Sequence, residues 1–277
     1  MPYLIGVDGC RLGWLTVSAF FVPNWPGDRP GEGPHGAASP GPNPLVAVQA
    51  RILSDLEPWL ASLEAGDPDL AALGRGAAPP PGPASSPGAP WLVAVDMPIG
   101  LSEAGPRRCD QEARRLLGHP RGSSVFPAPI RPMLQAQDYL EACAIGRATD
   151  GRALSRQAWN LLPRIRQLDE LLQRRPPWRQ RIGEAHPEVI FQLWAGQPLE
   201  QGKRLLAGRQ QRSALIEARW PGVVAACTAQ LPRGGWAPDD LLDALACLRA
   251  AERRASGLAL ELGGDRDGTD LAMAITC

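Results

Sequence analysis

The sequence predicts an α/β protein with one mixed sheet of five strands flanked by helices. The continuous apolar run from Trp91 to Val95 is typical of a central strand that is covered on both faces. Residues 4–7 and 14–22 are apolar segments joined by a tight glycine-containing connection, which predicts a hairpin. Beyond residue 107, apolar residues recur mainly at helical spacing, which predicts the helical layers.

The other strands and helices follow from the same two spacings. Residues 45–53 alternate between apolar and polar and predict a third strand, and the short apolar run Val189–Phe191 predicts the fifth. A helix over residues 54–65 has Ser54 as its cap and Glu57 at the third position. Helical spacing predicts five more helices, over residues 107–117, 133–144, 155–174, 203–219 and 238–255. Strand-strand-strand-helix-strand followed by helices is the order of the RNase H-like fold.

The length of 277 residues fits a single domain over residues 1–277. Two stretches, Pro23–Pro44 and Gly74–Pro90, are so rich in proline and glycine that neither predicts a strand or a helix. The segment between them is too short to fold alone. We therefore expect two Pro/Gly-rich surface loops, along with helical insertions, within one domain.

The composition argues against several classes of protein. No unbroken apolar run approaches the roughly 20 residues of a membrane helix, and the first residues lack the basic region of a signal peptide, so we expect a cytoplasmic protein without membrane contact. Six cysteines without paired spacing fit reduced thiols better than disulfides or a zinc site. The glycine-rich phosphate-binding motifs and the common hydrolase motifs are missing from the sequence.

The charge is balanced overall but uneven along the chain. The net charge is zero, from 29 basic and 29 acidic residues, which does not indicate an anionic partner. Residues 100–181, however, contain 15 Arg against 8 Asp and Glu. A basic segment beside an acidic cluster suits an enzyme that acts on phosphodiesters, because Arg binds phosphate and carboxylates bind the metal. A solvated basic face is the alternative explanation.

Two aspartates occupy equivalent places in the predicted sheet. Asp8 and Asp96 are each the first charged residue after an apolar strand. Ligands of α/β sheets bind at the carboxyl ends of central strands, so the two carboxylates are candidates for one shared site. Aspartate also commonly begins turns, which is the alternative explanation for either residue alone.

Two further aspartates lie on the last predicted helix. Asp240 and Asp243 are three residues apart and therefore lie on one helix face. Asp240 can also be explained by the helix dipole, which favours acids in the first turn. Asp243 differs because the residues that continue its row, Ala246, Cys247 and Ala250, are small and uncharged, which predicts that it faces the packed side. A buried carboxylate needs a partner, and a metal ion can serve as one.

The predicted metal site contains carboxylates without a nearby His or Cys, which favours Mg²⁺ or Mn²⁺ over Zn²⁺. Two such ions about 4 Å apart can activate water and stabilise the leaving oxygen of a phosphodiester. A further segment places Glu184, His186 and Glu188 on one side if it is extended. His186 could carry protons or bind substrate, or it could be a hydrogen-bonded structural histidine.

Six ordered motifs resemble the predicted-nuclease family of RNase H-like fold, domain-of-unknown-function family 429. They are Gly6-Val7-Asp8-Gly9-Cys10-Arg11-Leu12-Gly13-Trp14, Asp96-Met97-Pro98-Ile99-Gly100-Leu101, Arg108-Cys109-Asp110-Gln111-Glu112-Ala113-Arg114, Ser124-Val125-Phe126-Pro127-Ala128-Pro129, His186-Pro187-Glu188-Val189 and Asp240-Leu241-Leu242-Asp243-Ala244. The arrangement of acids is also similar to that of Holliday-junction resolvases, which usually have Glu where Asp96 stands.

The resemblance implies roles for individual residues. Metal ligands would be Asp8, Asp96, Asp240 and Asp243, and Glu188 would be a further catalytic ligand or base. Substrate-binding residues would be Arg11, Asp110, Arg114, His186, Lys203 and Arg212. Among these, Lys203 and Arg212 match basic positions after the HPE motif and would contact phosphate.

The leading hypothesis is a divalent-metal-dependent nuclease that hydrolyses phosphodiesters of DNA or RNA. One alternative is a non-catalytic nucleic-acid-binding or regulatory protein on the same fold, since a fold does not fix a function. Another is a hydrolase of a small nucleotide-like substrate, which the near-neutral charge favours over extended nucleic-acid binding. The sequence leaves the oligomeric state open, with a homodimer as one option.

Overall fold

The computed structural model describes residues 2–21, 45–66 and 91–277, and these build one seven-stranded mixed sheet with eight α-helices. Both predicted Pro/Gly-rich loops lie outside the described residues. The sheet order is β3-β2-β1-β4-β5-β7-β6. The strands are β1 (Tyr3–Cys10), β2 (Gly13–Phe21), β3 (Leu45–Leu53), β4 (Trp91–Val95), β5 (Ile182–Ala185), β6 (Glu261–Arg266) and β7 (Ala272–Thr276).

The helices lie between and after these strands. They are α1 (Glu57–Glu64), α2 (Arg108–Leu117), α3 (Tyr139–Asp150), α4 (Arg156–Arg174), α5 (Pro187–Ala195), α6 (Leu206–Arg219), α7 (Val223–Gln230) and α8 (Pro238–Ala255). Short 3₁₀ turns cover Arg121–Ser124, Arg131–Gln135 and Pro176–Gln180.

Strand β1 lies near the middle of the sheet, antiparallel to β2 and parallel to β4. Val7 pairs with Val95 at the end of the parallel ladder, and the Asp96 N–H donates to the Val7 carbonyl at 2.9 Å. The next residue on each strand is an aspartate. The register therefore brings Asp8 and Asp96 side by side at the carboxyl ends of two neighbouring strands.

Each face of the sheet buries its own core. Leu4 contributes to a core with α5, α6 and α8, whereas Ile5, its neighbour on β1, contributes to a core with α1 and α4. This alternation follows from the pleat, which points successive side chains to opposite faces. Both faces are covered, which explains why β1 and β4 are apolar without interruption.

Gly6 determines how closely α8 approaches the sheet. A Cβ atom at position 6 would lie 2.0 Å from the Ala244 carbonyl oxygen and 2.3 Å from the Leu248 nitrogen. Any larger residue would therefore collide with the helix backbone. The absence of a side chain lets α8 lie directly on β1, and this contact places Asp243, the residue before Ala244, next to the strand ends.

The strand count predicted from the sequence is wrong: the described residues form a sheet of seven strands, not five. The run Val189–Phe191 is not a strand but part of α5, which starts at Pro187. A short apolar run does not by itself distinguish a buried strand from a buried helix. The fifth strand is Ile182–Ala185, and the prediction missed β6 and β7 because both are short and β6 contains two glycines and three charged residues.

Most predicted helices are confirmed, with some boundaries shifted. The helix predicted from Ser54 starts at Glu57, whose N–H is accepted by Asp55 Oδ1 at 2.9 Å. The helix predicted over 133–144 is instead a 3₁₀ turn followed by α3, because Asp138 accepts the Glu141 N–H and starts the helix there. The helix predicted from residue 203 starts at Leu206, so Lys203 lies in the turn before it.

Candidate metal centre

Three carboxylates converge at the carboxyl ends of β1 and β4. Asp8 lies on β1, Asp96 directly follows β4, and Asp243 lies in the second turn of α8. One carboxylate oxygen of each lies within 4.8 Å of those of the other two. We call these three residues the acidic cluster. It brings together two acids that are neighbours through the sheet register and a third that the close packing of α8 supplies.

The acidic cluster has the donor set that a hard divalent cation requires. Asp243 is buried, and its Oδ1 atom has no hydrogen-bond partner among the described residues. Leaving such an atom unpaired is costly, so a missing partner is indicated. Two oxygens bound to one Mg²⁺ lie at most about 4.2 Å apart, twice the usual bond length. The observed spacing needs only small side-chain rotations to meet that limit, so the cluster fits Mg²⁺ or Mn²⁺.

The electrostatics of the cluster also indicate a deficit of positive charge. Burial raises the pKa of Asp96 and that of Asp243 to about 6 each, with Lys203 opposing the rise and the charge of Glu188 contributing to it. Burial together with the charges of Asp96 and Asp243 raises the pKa of Asp8 well above its ordinary value. Asp8 Oδ1 accepts the Gly9 N–H at 2.7 Å. A cation in the cluster would favour the charged form of all three acids.

Lys203 is the basic partner of the cluster. Its Nζ donates to Asp243 Oδ2 at 2.5 Å. Burial opposes the ammonium charge, but the carboxylates of Asp243, Asp96 and Asp8 outweigh it and raise the pKa of Lys203. Lys203, which the resemblance predicts to contact substrate phosphate, is therefore hydrogen-bonded to Asp243, a predicted metal ligand.

Asp240 was predicted as a metal ligand, and the three-carboxylate cluster does not include it. It lies one turn before Asp243, where its Oδ2 accepts the Ala237 N–H at 2.8 Å and caps the first turn of α8. Burial raises its pKa. Its carboxylate is near enough to raise the pKa of Asp8, so it adds negative charge beside the cluster.

Glu188 and Arg212 form a buried ion pair. Glu188 lies in the first turn of α5, and the guanidinium of Arg212, on α6, donates to both its oxygens at 2.6 and 2.7 Å. Arg212 also donates to the carbonyls of Gln201 and Gly208. Its side chain has no exposed surface. Arg212, predicted to contact phosphate, is committed to Glu188 instead and does not reach the surface.

His186 immediately precedes α5. Its Nδ1 atom is buried without a hydrogen-bond partner in the part of the chain that the structure describes, and burial lowers the pKa of the imidazole. The charges of Glu188, Lys203 and Asp243 act on it, which places it next to the cluster. With Asp96 and Glu184 it lines a cavity of about 20 Å³, room for about one water molecule. The segment is not extended throughout, since Glu188 lies in a helix.

A second buried network lies beside the cluster and was missed as a unit from the sequence. Arg107 donates to Glu184 through two nitrogens, both at 2.7 Å, and to Asp110 at 2.5 Å. Burial raises the pKa of Glu184 to about 7, with Arg107 opposing. Asp110, predicted to bind substrate, is 3% exposed and lies within this network. In the local sequence, only the three-residue spacing of Arg107 and Asp110 indicated that these two side chains could pair.

The remaining predicted substrate residues differ in accessibility. Arg11 is exposed in the turn between β1 and β2, three residues after Asp8. Arg114, on α2, is half-buried and donates to the Val125 carbonyl at 3.0 Å. Arg11 is therefore the more exposed of the two side chains.

Fold and site together define a mixed α/β protein with an acidic cluster at the carboxyl ends of its central strands. A family described as "Protein of unknown function (DUF429)" matches residues 6–267. The chain belongs to this family, as its six motifs predicted. No curated protein and no solved structure matches the chain. Among the described helices, none has both the length and the apolar character needed to cross a membrane.

Proposed function

We propose that this protein is a Mg²⁺- or Mn²⁺-dependent phosphodiesterase of RNase H-like fold that acts on nucleic acid. The observation that carries the proposal is Asp243 Oδ1, a buried carboxylate oxygen that lacks a partner among residues 2–21, 45–66 and 91–277 and lies inside a cluster of three carboxylates. The order of the first elements, three strands, a helix and a fourth strand, supports the fold assignment. A cytoplasmic location and a homodimer stay predictions.

The chain's own residues supply most of the proposed chemistry. Asp8, Asp96 and Asp243 would hold the cation, which would activate water and stabilise the leaving oxygen. His186, with its lowered pKa and its unpartnered Nδ1, is placed to accept a proton beside the cluster. Because Arg212 binds both oxygens of Glu188, we assign Glu188 to positioning and charge, not to proton transfer.

One observation favours the non-catalytic alternative. The ammonium of Lys203 already offsets part of the negative charge of the cluster, so the fold does not need a metal to pair Asp243 Oδ2. A binding or regulatory protein could keep the acids in this form. Metal affinity and cleavage must therefore be measured separately.

The first experiment measures Mn²⁺ binding by isothermal titration calorimetry. We expect Asp8→Asn and Asp243→Asn each to weaken binding by at least about 10²-fold, because each removes one charged ligand from a site with three. Asp239→Asn is the matched control, since Asp239 lies on the same helix outside the cluster. Full affinity in Asp8→Asn with an intact fold would sink the metal-site proposal.

The second experiment separates the candidate functions. Single-stranded, duplex and branched DNA and RNA, and a small phosphodiester, are incubated with the wild type and Asp243→Asn in Mn²⁺. Cleavage of a nucleic acid by the wild type alone supports the nuclease. Tight binding without cleavage supports the binding protein, and cleavage of the small ester alone supports the hydrolase of a nucleotide-like substrate.

A further inference from the structure

The ammonium of Lys203 lies where a positive charge can offset the negative charge of the acidic cluster. It is the single lysine among the 29 basic residues of the chain. Its Nζ bonds Asp243 Oδ2, and the charges of Asp96 and Asp8 act on it too. Its side chain is 37% exposed whereas that of Asp243 is 2% exposed. The ammonium therefore reaches a buried cluster from the surface of the protein.

The backbone of Lys203 lies in the turn before α6 rather than within a helix. The flexible four-carbon stem of a lysine can carry its charge away without moving a backbone element. Arg212 contrasts with it, because its guanidinium is enclosed on α6 and bound to Glu188 and to the carbonyls of Gln201 and Gly208. Of these two basic side chains, Lys203 is the one that can withdraw toward solvent.

The positive charge of Lys203 alone does not balance the negative charge of the acidic cluster. Within the described residues, one ammonium faces three carboxylates, and it bonds one oxygen of Asp243 while the other oxygen has no partner. A divalent ion would offset more of this charge. Two cations drawn to oxygens that lie within 4.8 Å of one another repel strongly, so they compete for the centre of the cluster.

We infer that Lys203 is the counter-ion of the metal-free site, and that a divalent ion bound by Asp8, Asp96 and Asp243 displaces its ammonium toward solvent. The inference rests on the proposed metal site and describes its regulation. The cluster would have two forms, one neutralised by the protein's own lysine and one loaded with metal. Each form keeps a cation next to the buried carboxylates.

Selective labelling of the amine tests the displacement directly. Apart from the α-amino group, Lys203 is the only amine in the chain, so the rate at which an amine-specific reagent modifies it can be followed by peptide mass spectrometry. We expect Mn²⁺ to increase this rate severalfold in the wild type and to leave it unchanged in Asp8→Asn. The variant Arg204→Lys supplies an exposed reference amine next to the site, whose rate should not depend on Mn²⁺.

Metal affinity gives a second readout that does not depend on activity. Lys203→Met keeps most of the length of the side chain and removes the charge, so Mn²⁺ should bind at least about tenfold more tightly in calorimetry, because a competing cation at contact distance is gone. Arg204→Met, which removes a neighbouring exposed charge, should bind as the wild type does.

The outcomes distinguish this inference from the proposed function. If Mn²⁺ binds the wild type but neither the labelling rate of Lys203 nor the affinity of Lys203→Met rises, the metal site stands and the counter-ion exchange is wrong. If Lys203→Met binds Mn²⁺ more weakly, Lys203 supports the metal instead of competing with it, and the inference is again overturned. If Mn²⁺ does not bind the wild type at all, both fail.

Discussion

Burial acts on the carboxylates of the acidic cluster in one direction. It raises the pKa of Asp96 and of Asp243 to about 6, whereas aspartates of an unfolded chain titrate near pH 4. The folded protein therefore binds more protons than the unfolded chain between about pH 4 and 6. The metal-free protein should accordingly lose stability as the pH rises through that window, the reverse of a salt-bridged acid with a lowered pKa.

Asp243→Asn should remove part of this pH dependence, because asparagine is neutral throughout. In chelator-treated protein, we expect the free energy of unfolding of the variant relative to the wild type to rise by up to about 3 kcal/mol between pH 4 and pH 6.5, as about two pKa units imply. Urea unfolding at several pH values measures it. A difference that falls over this range would contradict the raised pKa of Asp243.

The ion pair of Glu188 and Arg212 predicts an effect on stability. Arg212→Met leaves the buried carboxylate of Glu188 unpaired and should lower the free energy of unfolding by about 3–5 kcal/mol. The double variant Arg212→Met with Glu188→Leu removes both charges and should recover most of that loss. Chemical denaturation compares the three proteins. Equal stability of the wild type and Arg212→Met would show that the pair is not structural.

The residues of the site were predictable to different degrees. Asp8, Asp96 and Asp243 could be predicted because a charged residue directly after an apolar strand, or on the apolar face of a helix, is costly to bury unless it has a partner. The role of Arg212 could not, since nothing in the local sequence shows that an arginine on an amphipathic helix is buried. The position of Lys203 depends on a turn and on a contact across 40 residues, which no local spacing encodes.

Helix α8 and strand β1 act as one element of the site because their backbones are in contact at Gly6. Gly6→Ala places a methyl group against the Ala244 carbonyl, so α8 must shift away from the strand. We expect a loss of at least about 1–3 kcal/mol in the free energy of unfolding, typical of an overpacked core. Because Asp243 moves with α8, Mn²⁺ affinity measured on folded protein should fall as well.

Gly268→Ala is a matched control for that prediction. Its Cβ would lie 3.1 Å from Glu103 Oε1, the end of a largely exposed side chain that pairs with Arg131 at 3.8 Å. Thermal unfolding and calorimetry should show little change in this variant. Unchanged Mn²⁺ affinity in folded Gly6→Ala would instead show that the contact with β1 does not position Asp243.

The sequence predicted well the strands that have long apolar or alternating runs, including the edge strand β3, and predicted poorly the β5-β7-β6 side of the sheet. The apolar runs of β1 and β4 are long enough to identify central strands. Strand β5 is the four-residue segment Ile182–Ala185, in which a glycine and a glutamate interrupt the apolar pattern. Its partner β7 and the glycine-containing β6 are stabilised by pairing that only the assembled sheet provides.

At the scale of the whole molecule, the site depends on contacts between distant parts of the chain. The parallel pairing of β1 with β4 joins residues about 88 positions apart, and Arg107 binds Glu184 across 77 residues. Local spacing predicts which residues face a core but not which distant partner they meet there. The α/β class was therefore predictable, whereas the seven-stranded order and the buried ion pairs were not.

The backbone contact at Gly6 also has a thermodynamic consequence. Asp8 and Asp243 lie on a strand and a helix that touch without intervening side chains, and Asp96 is hydrogen-bonded through its backbone to β1. An ion that binds between these three residues therefore orders almost none of the protein chain. Its binding should then be driven by the entropy of the water molecules that it sheds and should absorb heat, so warming should raise the affinity.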